Sequence, residues 1–366
     1  MNFDAAIEGL GEANFLSLGG LLIGIAFGFL AQRSRFCLRA STLEVGRGRL
    51  GDRLSIWLIS FSIALMTTQG LILAGLFDTG AVRQLNNPGS LSGAILGGLM
   101  FGCGMVLTRA CASRMLVLSA TGNLRALLSG LVFAVMAQAA LKGILSPARQ
   151  WINELWMIDG HTRDVIAATG IGHGGALAFG ALWLVAGVAL VLRNRVRPLH
   201  ALFGAGVGLT VGAAWWFTFQ TAAAAFDPVN VQALSFTGPS ADVLMAVLSP
   251  PGTKLTFDLG LIPGVVIGAF LGGWIGRDLK LEGFQDGASM RRYIAGGCLM
   301  GFGSVLAGGC AVGAGVSGAS IFTLTAWLVL WSMWIGAVLT DRLIDRAPDH
   351  NPSAGEAIAA PPAPGV

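Results

Sequence analysis

An all-α integral membrane protein of about nine transmembrane helices, folded as two inverted repeats, is the architecture this sequence predicts, and three observations carry it. The chain of 366 residues is 54% hydrophobic and only 11% charged, far from the make-up of soluble domains. Its uncharged runs match the roughly 20 residues a helix needs to cross hydrocarbon. A block rich in glycine and cysteine near residue 100 returns near residue 300.

The apolar runs are 15–32, 54–77, 88–108, 126–141, 174–192, 201–226, 259–276 and 293–340, the last long enough for two crossings. Strand-type alternation is absent and glycine and alanine abound, which favours a helical bundle with close backbone contacts over a barrel. The N-terminal MNFDAAIEGLGEAN is acidic and lacks the basic lead-in of a cleavable signal, so the first run is expected to remain as a span. Basic residues set the orientation. Arg33, Arg35, Arg39, Arg47, Arg49 and Arg53 follow the first run, Arg193, Arg195 and Arg197 the fifth, and Arg277, Lys280, Arg291 and Arg292 lie between the seventh and eighth. By the positive-inside rule these loops face the cytoplasm. The N-terminus is then outside and the C-terminus inside, at Arg342 and Arg346. The organisation that follows is an extracytoplasmic N-terminus (1–14), a first half with a linking fifth span (15–192), a second, inverted half (193–340) and a cytoplasmic, mostly disordered Pro/Ala tail (341–366).

Residues 97–112, GGLMFGCGMVLTRACA, align without a gap on 296–311, GGCLMGFGSVLAGGCA, at an offset of 199, and eight of sixteen positions are identical. A weaker match pairs GIAFG (24–28) with GLTVG (208–212) at an offset of 184. An odd number of crossings separates the two blocks, so they run through the membrane in opposite senses. Inverted repeats of this kind mark transporters, with the substrate site where broken helices of the two halves meet. Gly308, Gly309, Gly313 and Gly315 around Cys310 disfavour one uninterrupted helix, which places Cys310 near a helix start, where free N–H groups receive anions. The first block has Arg109 and Arg114 around Cys111 instead. Charge inside an apolar segment is costly and asks for a use.

The five cysteines, Cys37, Cys103, Cys111, Cys298 and Cys310, form no CxxC pair, which argues against structural disulfides and zinc. A thiol is a soft, weak donor that suits a substrate with a terminal sulfur, and successive weak contacts suit conduction. At the 184 offset the counterpart of Cys37 is Thr221. Cys103 and Cys298 are expected to be small buried hydrophobes.

The stretches RSRFC (33–37), GGLMFGCGMVLTRAC (97–111) and GGCLMGFGSVLAGGCAVGAGVSG (296–318) resemble the YeeE/YedE membrane proteins, which carry the sulphur-transport domain and include bacterial thiosulfate importers. The resemblance covers residues 15–340. It implies an hourglass-like fold of nine spans with short re-entrant helices, in a bacterial inner membrane, with Cys37, Cys111 and Cys310 along a central path. Candidate substrate-binding residues are Arg109, Arg114, Gly308, Gly309 and Gly313. The family commonly reads GGCASG where this chain has RACASR. The two arginines narrow the path, bind an oxyanion bidentately, pair with carboxylates, or snorkel to the cytoplasmic interface.

The function expected is uptake of a sulfur-containing anion, thiosulfate first, without enzymatic activity. The alternatives are a transporter of another sulfur or selenium compound and a membrane thiol-redox protein. A small cytoplasmic sulfur-carrier protein is the partner the family implies. No cofactor is expected; the missing Walker A motif argues against ATP hydrolysis by the chain itself, and no quinone site or haem-ligand pair is visible to support the redox alternative. Carboxylates at the predicted midplane are missing, which favours passage down the substrate gradient; Asp78, Asp227, Asp242 and Asp258 fall in outside loops or at span edges. His161, His173, His200 and His350 have no metal-ligand spacing, and a net charge of +4 makes no case for nucleic acid. His161 and His173 are assigned to an outside loop, 146–173. The segment 223–257 is read as a second outside loop whose apolar patch packs on the surface at the outer vestibule, with a lid as the alternative, and Tyr293, Arg291 and Arg292 as interfacial anchors.

Overall fold

The computed structural model describes residues 7, 9–250, 254–283 and 287–345. Most of the acidic N-terminus before residue 9, residues 251–253 of the 223–257 segment, Arg346, His350 and the Pro/Ala tail, and the side chain of His161, lie outside the described residues.

A pattern of long helix, short helix and long helix occurs four times. It is formed first by Glu12–Ser34 (α1), Leu38–Gly46 (α2) and Asp52–Leu73 (α3). Leu91–Leu107 (α4), Ala112–Ala120 (α5) and Leu124–Lys142 (α6) repeat it. After the short Ser146–Glu154 (α7) and the long Gly172–Arg193 (α8), it returns as Pro198–Ala224 (α9), Thr237–Leu248 (α10) and Phe257–Gly276 (α11). The last occurrence is Gly287–Leu306 (α12), a π-helical stretch Gly313–Gly318, and Leu324–Thr340 (α13). Among the described residues, sheet is confined to Gly89–Ser90 paired antiparallel with Met157–Ile158. Eight of the long helices are long and apolar enough to cross a membrane. The ninth, α12, is as long as α11 but carries Arg291 and Arg292 near its start.

Glycines set how the long helices meet. Gly20, Gly24 and Gly28, four residues apart, share one face of α1 and lie against α11 at Gly260, Gly264 and Gly268. A Cβ on Gly24 would stand 2.5 Å from the Leu261 carbonyl oxygen, so the two backbones touch. Helix α9 meets α3 in the same way through Gly204, Gly208 and Gly212. These three match the α1 glycines at the 184 offset of the weaker sequence repeat. Elsewhere α4 packs on α12 and α13, and α6 packs on α12. Exchanging the two halves converts the α1–α11 contact into α9–α3 and the α4–α13 contact into α12–α6, as two related halves require.

Three expectations change. The 223–257 segment is not a surface-packed loop: α10 occupies its middle, and residues 225–236 lead into the core, where Leu234 and Phe236 are fully buried. The entry is possible because Thr218 satisfies it; its hydroxyl donates to the Gln232 carbonyl at 2.7 Å and accepts from the Gln232 N–H at 3.1 Å. The 146–173 region contains α7, and His173 belongs to the first turn of α8, with Nδ1 2.9 Å from Oε1 of Gln69. Tyr293 is buried rather than interfacial. Its hydroxyl accepts from Arg125 at 3.4 Å, and that guanidinium lies 5.9 Å from the ring centroid.

The turn after α4 puts Arg109 in the left-handed region at φ 57, and the same place in the second half is Gly308 at φ 78. A side chain there costs roughly 1–2 kcal/mol that glycine avoids. Arg109→Gly is therefore expected to raise the SDS-unfolding midpoint, and Gly308→Arg to lower it. For the helix contact, Gly24→Ala should destabilise by about 1–3 kcal/mol through overpacking. Gly70→Ala, where an added Cβ meets nothing within 4 Å, should stabilise by about 0.5–1 kcal/mol, measured by the same titration.

Candidate functional site

Cysteines stand at the starts of three of the four short helical stretches. Cys37 precedes α2 and Cys111 precedes α5, both with extended backbone (φ −164, ψ 114 and φ −88, ψ 171). Cys310 precedes the Gly313–Gly318 stretch. Each carbonyl accepts from the N–H four residues on: Ser41 to Cys37 at 3.3 Å, Met115 to Cys111 at 2.9 Å and Ala314 to Cys310 at 2.9 Å. The earlier N–H groups of the first turn have no helical partner, and in the second half the Cys310 sulfur accepts one of them, from Gly313, at 3.4 Å. The corresponding N–H groups of Ala40 and Arg114 lie beside the sulfurs of Cys37 and Cys111, without a regular cap bond. These short helices thus present thiols together with the positive ends of their dipoles.

The fourth short helix, α10, begins after Phe236. Phe236 lies 199 residues beyond Cys37, the offset of the stronger repeat, and it replaces Thr221 as the counterpart of Cys37. The 184 register holds along α1 and α9, but α9 continues to Ala224 and the irregular segment 225–236 follows, which moves the register to 199. Phe236 is fully buried, with its ring centroid 5.1 Å from that of Phe27.

The structure brings Cys37 and Cys111 together as neighbouring thiols, with the Cys111 sulfur also 3.5 Å from the Ser113 hydroxyl. Cys111 and Cys310 are fully buried in the one large core, and Cys37 packs against it part-exposed. Cys103 and Cys298, expected as small buried hydrophobes, are instead partly exposed and lie outside that core; the Cys103 thiol is 3.7 Å from the Gly336 carbonyl. All five cysteines are free thiols.

The two arginines around Cys111 part company. Arg109 is exposed. Arg114 is part-buried, donates from Nη1 to Oε1 of Gln32 at 3.2 Å, and lies within electrostatic reach of Cys37, Arg53, Cys111 and Arg35. The glycines of the second block divide likewise, with Gly308 exposed and Gly309 and Gly313 buried. A Cβ on Gly309 would sit 2.8 Å from the Ala314 nitrogen, and one on Gly313 2.5 Å from the Ser235 hydroxyl. Neither position has room for a Cβ, Gly309 because of the tight turn around Cys310 and Gly313 because of Ser235 in the entering segment.

Several supporting residues escaped sequence reasoning. Gln69, fully buried on α3, donates to the Ser320 carbonyl at 2.7 Å. Trp215 donates to the Ser320 hydroxyl at 3.3 Å, and that hydroxyl to the Ser317 carbonyl at 2.7 Å. Ser317 in turn donates to the Leu234 carbonyl at 2.8 Å. This chain of bonds holds the Cys310 segment against the entering 225–236 segment. The available signal was an amide inside an apolar run, which is costly to bury unless bonded; it marks Gln32 as well as Gln69. Among the carboxylates, Asp258 sits in the first turn of α11 and accepts from Gln232 at 2.8 Å.

Buried thiols beside helix starts, with a guanidinium on one side, make a soft and positively polarised surface suited to a sulfur-bearing anion. Comparison with known proteins agrees. The family profile described as Sulphur transport matches residues 33–339. The thiosulfate transporter TsuA of Escherichia coli strain K12 is 24% identical, over 93% of this chain and 98% of its own length. The thiosulfate transporter TsuA of Spirochaeta thermophila is 26% identical, over 84% of this chain and 93% of its own. The profile covers all four short helical stretches, the three cysteines at their starts and every long helix from α3 onward, so this multi-pass membrane protein belongs to the sulphur-transport, or YeeE/YedE, family.

Proposed function

We propose that the chain is an inner-membrane permease that takes up thiosulfate, passing it along a path on which Cys310, Cys111 and Cys37 offer successive thiol contacts. The observation that carries the reading is the placement of these three cysteines at the starts of short helices packed into the bundle, where soft sulfur and first-turn N–H groups without a helical partner coincide. A thiol contact is weak enough to release its ion, as conduction requires. The names of the two relatives favour thiosulfate. The halves 15–192 and 193–340 act as inverted repeats in this reading. With basic loops inside, the N-terminus is extracytoplasmic, Cys310 is approached from outside, and Cys37 lies towards the cytoplasm, where a sulfur-carrier protein is a fitting acceptor.

The test is uptake of thiosulfate labelled in its outer sulfur by cells that lack other sulfur importers. Cys111→Ala and Cys310→Ala should each lower the rate at least about tenfold, equivalent to about 1.4 kcal/mol of lost stabilisation. Cys103→Ala and Cys298→Ala should retain it. No uptake by wild-type protein shown to be in the membrane would remove thiosulfate as the substrate, and undiminished uptake by the two core variants would remove the thiol path.

A further inference from the structure

The two halves match in backbone and differ in charge around their cysteines. At the 199 offset, Arg35, Cys37, Arg39 and Arg114 correspond to Leu234, Phe236, Gly238 and Gly313. On the Cys310 side these positions are apolar, and Leu234 and Phe236 are fully buried. On the Cys37 and Cys111 side a group of guanidiniums surrounds two adjacent thiols. Arg114 lies within electrostatic reach of both sulfurs and of Arg53 and Arg35, and Arg39 within reach of Cys37. Arg53 donates from Nη1 to the Arg35 carbonyl at 3.3 Å, which holds that pair in place.

Arg114 is the centre of this group. Its side chain has one hydrogen-bond partner among the described residues, the neutral amide of Gln32, which is 6% exposed. No carboxylate pairs with it among those residues; the ion pairs there are Arg47 with Asp341, Arg125 with Glu282 and Lys254 with Asp227. The nearby Glu44 is occupied at the start of α3, where its carboxylate accepts from the N–H groups of Arg53 at 3.3 Å and Leu54 at 2.9 Å, and Asp52 is exposed in the first turn of α3. A guanidinium partly withdrawn from water without a counter-charge is costly, and an anion that brings its own charge offsets the cost. The planar fork suits two oxygens of one oxyanion group.

We infer that Arg114, with Gln32 at its back and Cys37 and Cys111 beside it, forms an oxyanion-holding site on one side of the path only, which orients a substrate having an oxyanion end and a sulfur end. The oxygens face the guanidinium and the terminal sulfur faces the thiols. Identification of the anion as thiosulfate rests on the permease reading; the existence of the site does not. Because Gly313 occupies the Arg114 position in the other half, the site gives the path a polarity, with substrate held more firmly on the arginine side.

The test is calorimetric titration of the purified full-length protein in nanodiscs with thiosulfate and, separately, with sulfate, which has the oxygens and lacks the terminal sulfur. Wild type should bind both, thiosulfate more tightly. Arg114→Gln should weaken both at least tenfold, whereas Cys37→Ala should weaken thiosulfate and leave sulfate unchanged. A second measurement needs no variant: sulfate should slow alkylation of Cys37 by N-ethylmaleimide, read by peptide mass spectrometry, more than chloride at the same ionic strength. Wild-type affinities retained in Arg114→Gln, no binding of either anion by wild type, or no protection by sulfate would each overturn the site. Anion binding lost with Arg114→Gln in a protein whose cells take up no thiosulfate would keep the site and reject the permease reading.

Discussion

The rest of the structure depends on the direct backbone contact between α1 and α11 and on its counterpart between α9 and α3. Lipid tails are as apolar as leucine, so helices in a membrane gain little from hiding apolar side chains and associate through close packing. Gly24 and Gly264 permit that approach, with a would-be Cβ on Gly24 3.1 Å from the Gly264 Cα. Bringing the long helices this near draws the connections at their ends inward. Those connections are the short helices that carry Cys37 and, in the other half, Phe236.

A chain that breaks its helices inside the bundle must satisfy the backbone groups it frees, because no water is present there to do so. The polar residues of the core serve this need. Thr218 bonds the Gln232 backbone in both directions, and Gln69 and Ser317 donate to the Ser320 and Leu234 carbonyls, bridging segments far apart in sequence. Glu44 does the same at the start of α3, and Arg47 with Asp341 ties α2 to the end of α13 at 2.8 Å. The π-helical geometry of Gly313–Gly318 belongs with this group of irregularities, since such turns concentrate at functional sites.

Around the thiols the two halves differ in charge and size. Helices α1 and α9, and α4 and α12, keep their contact glycines in register between halves, whereas Cys37 corresponds to Phe236, Arg109 to Gly308 and Arg114 to Gly313. Packing constrains the first set, because a side chain at a backbone contact has nowhere to go. The positions around the cysteines lie at the turns before the short helices, away from those helix–helix backbone contacts, so side chains there can differ between halves while the scaffold stays paired.

Composition, the uncharged runs and the two glycine-cysteine blocks were sufficient for an all-α membrane fold, for the number of long helices and for the notice drawn to Cys37, Cys111 and Cys310. These features repeat locally or at a constant offset, and they are legible because lipid imposes the same length and polarity on every span. What the linear chain concealed was decided by contacts between segments far apart. The 223–257 segment reads as a surface loop until Thr218 and Ser317 are there to bond its backbone at Gln232 and Leu234. Thr221 reads as the partner of Cys37 until the longer α9 shifts the register to Phe236. Arg109 and Arg114 read alike, and only the turn after α4 and the position of Gln32 separate an exposed cation from a part-buried one. Local sequence carries the cost of each buried polar group; which distant group meets that cost is a property of the folded bundle.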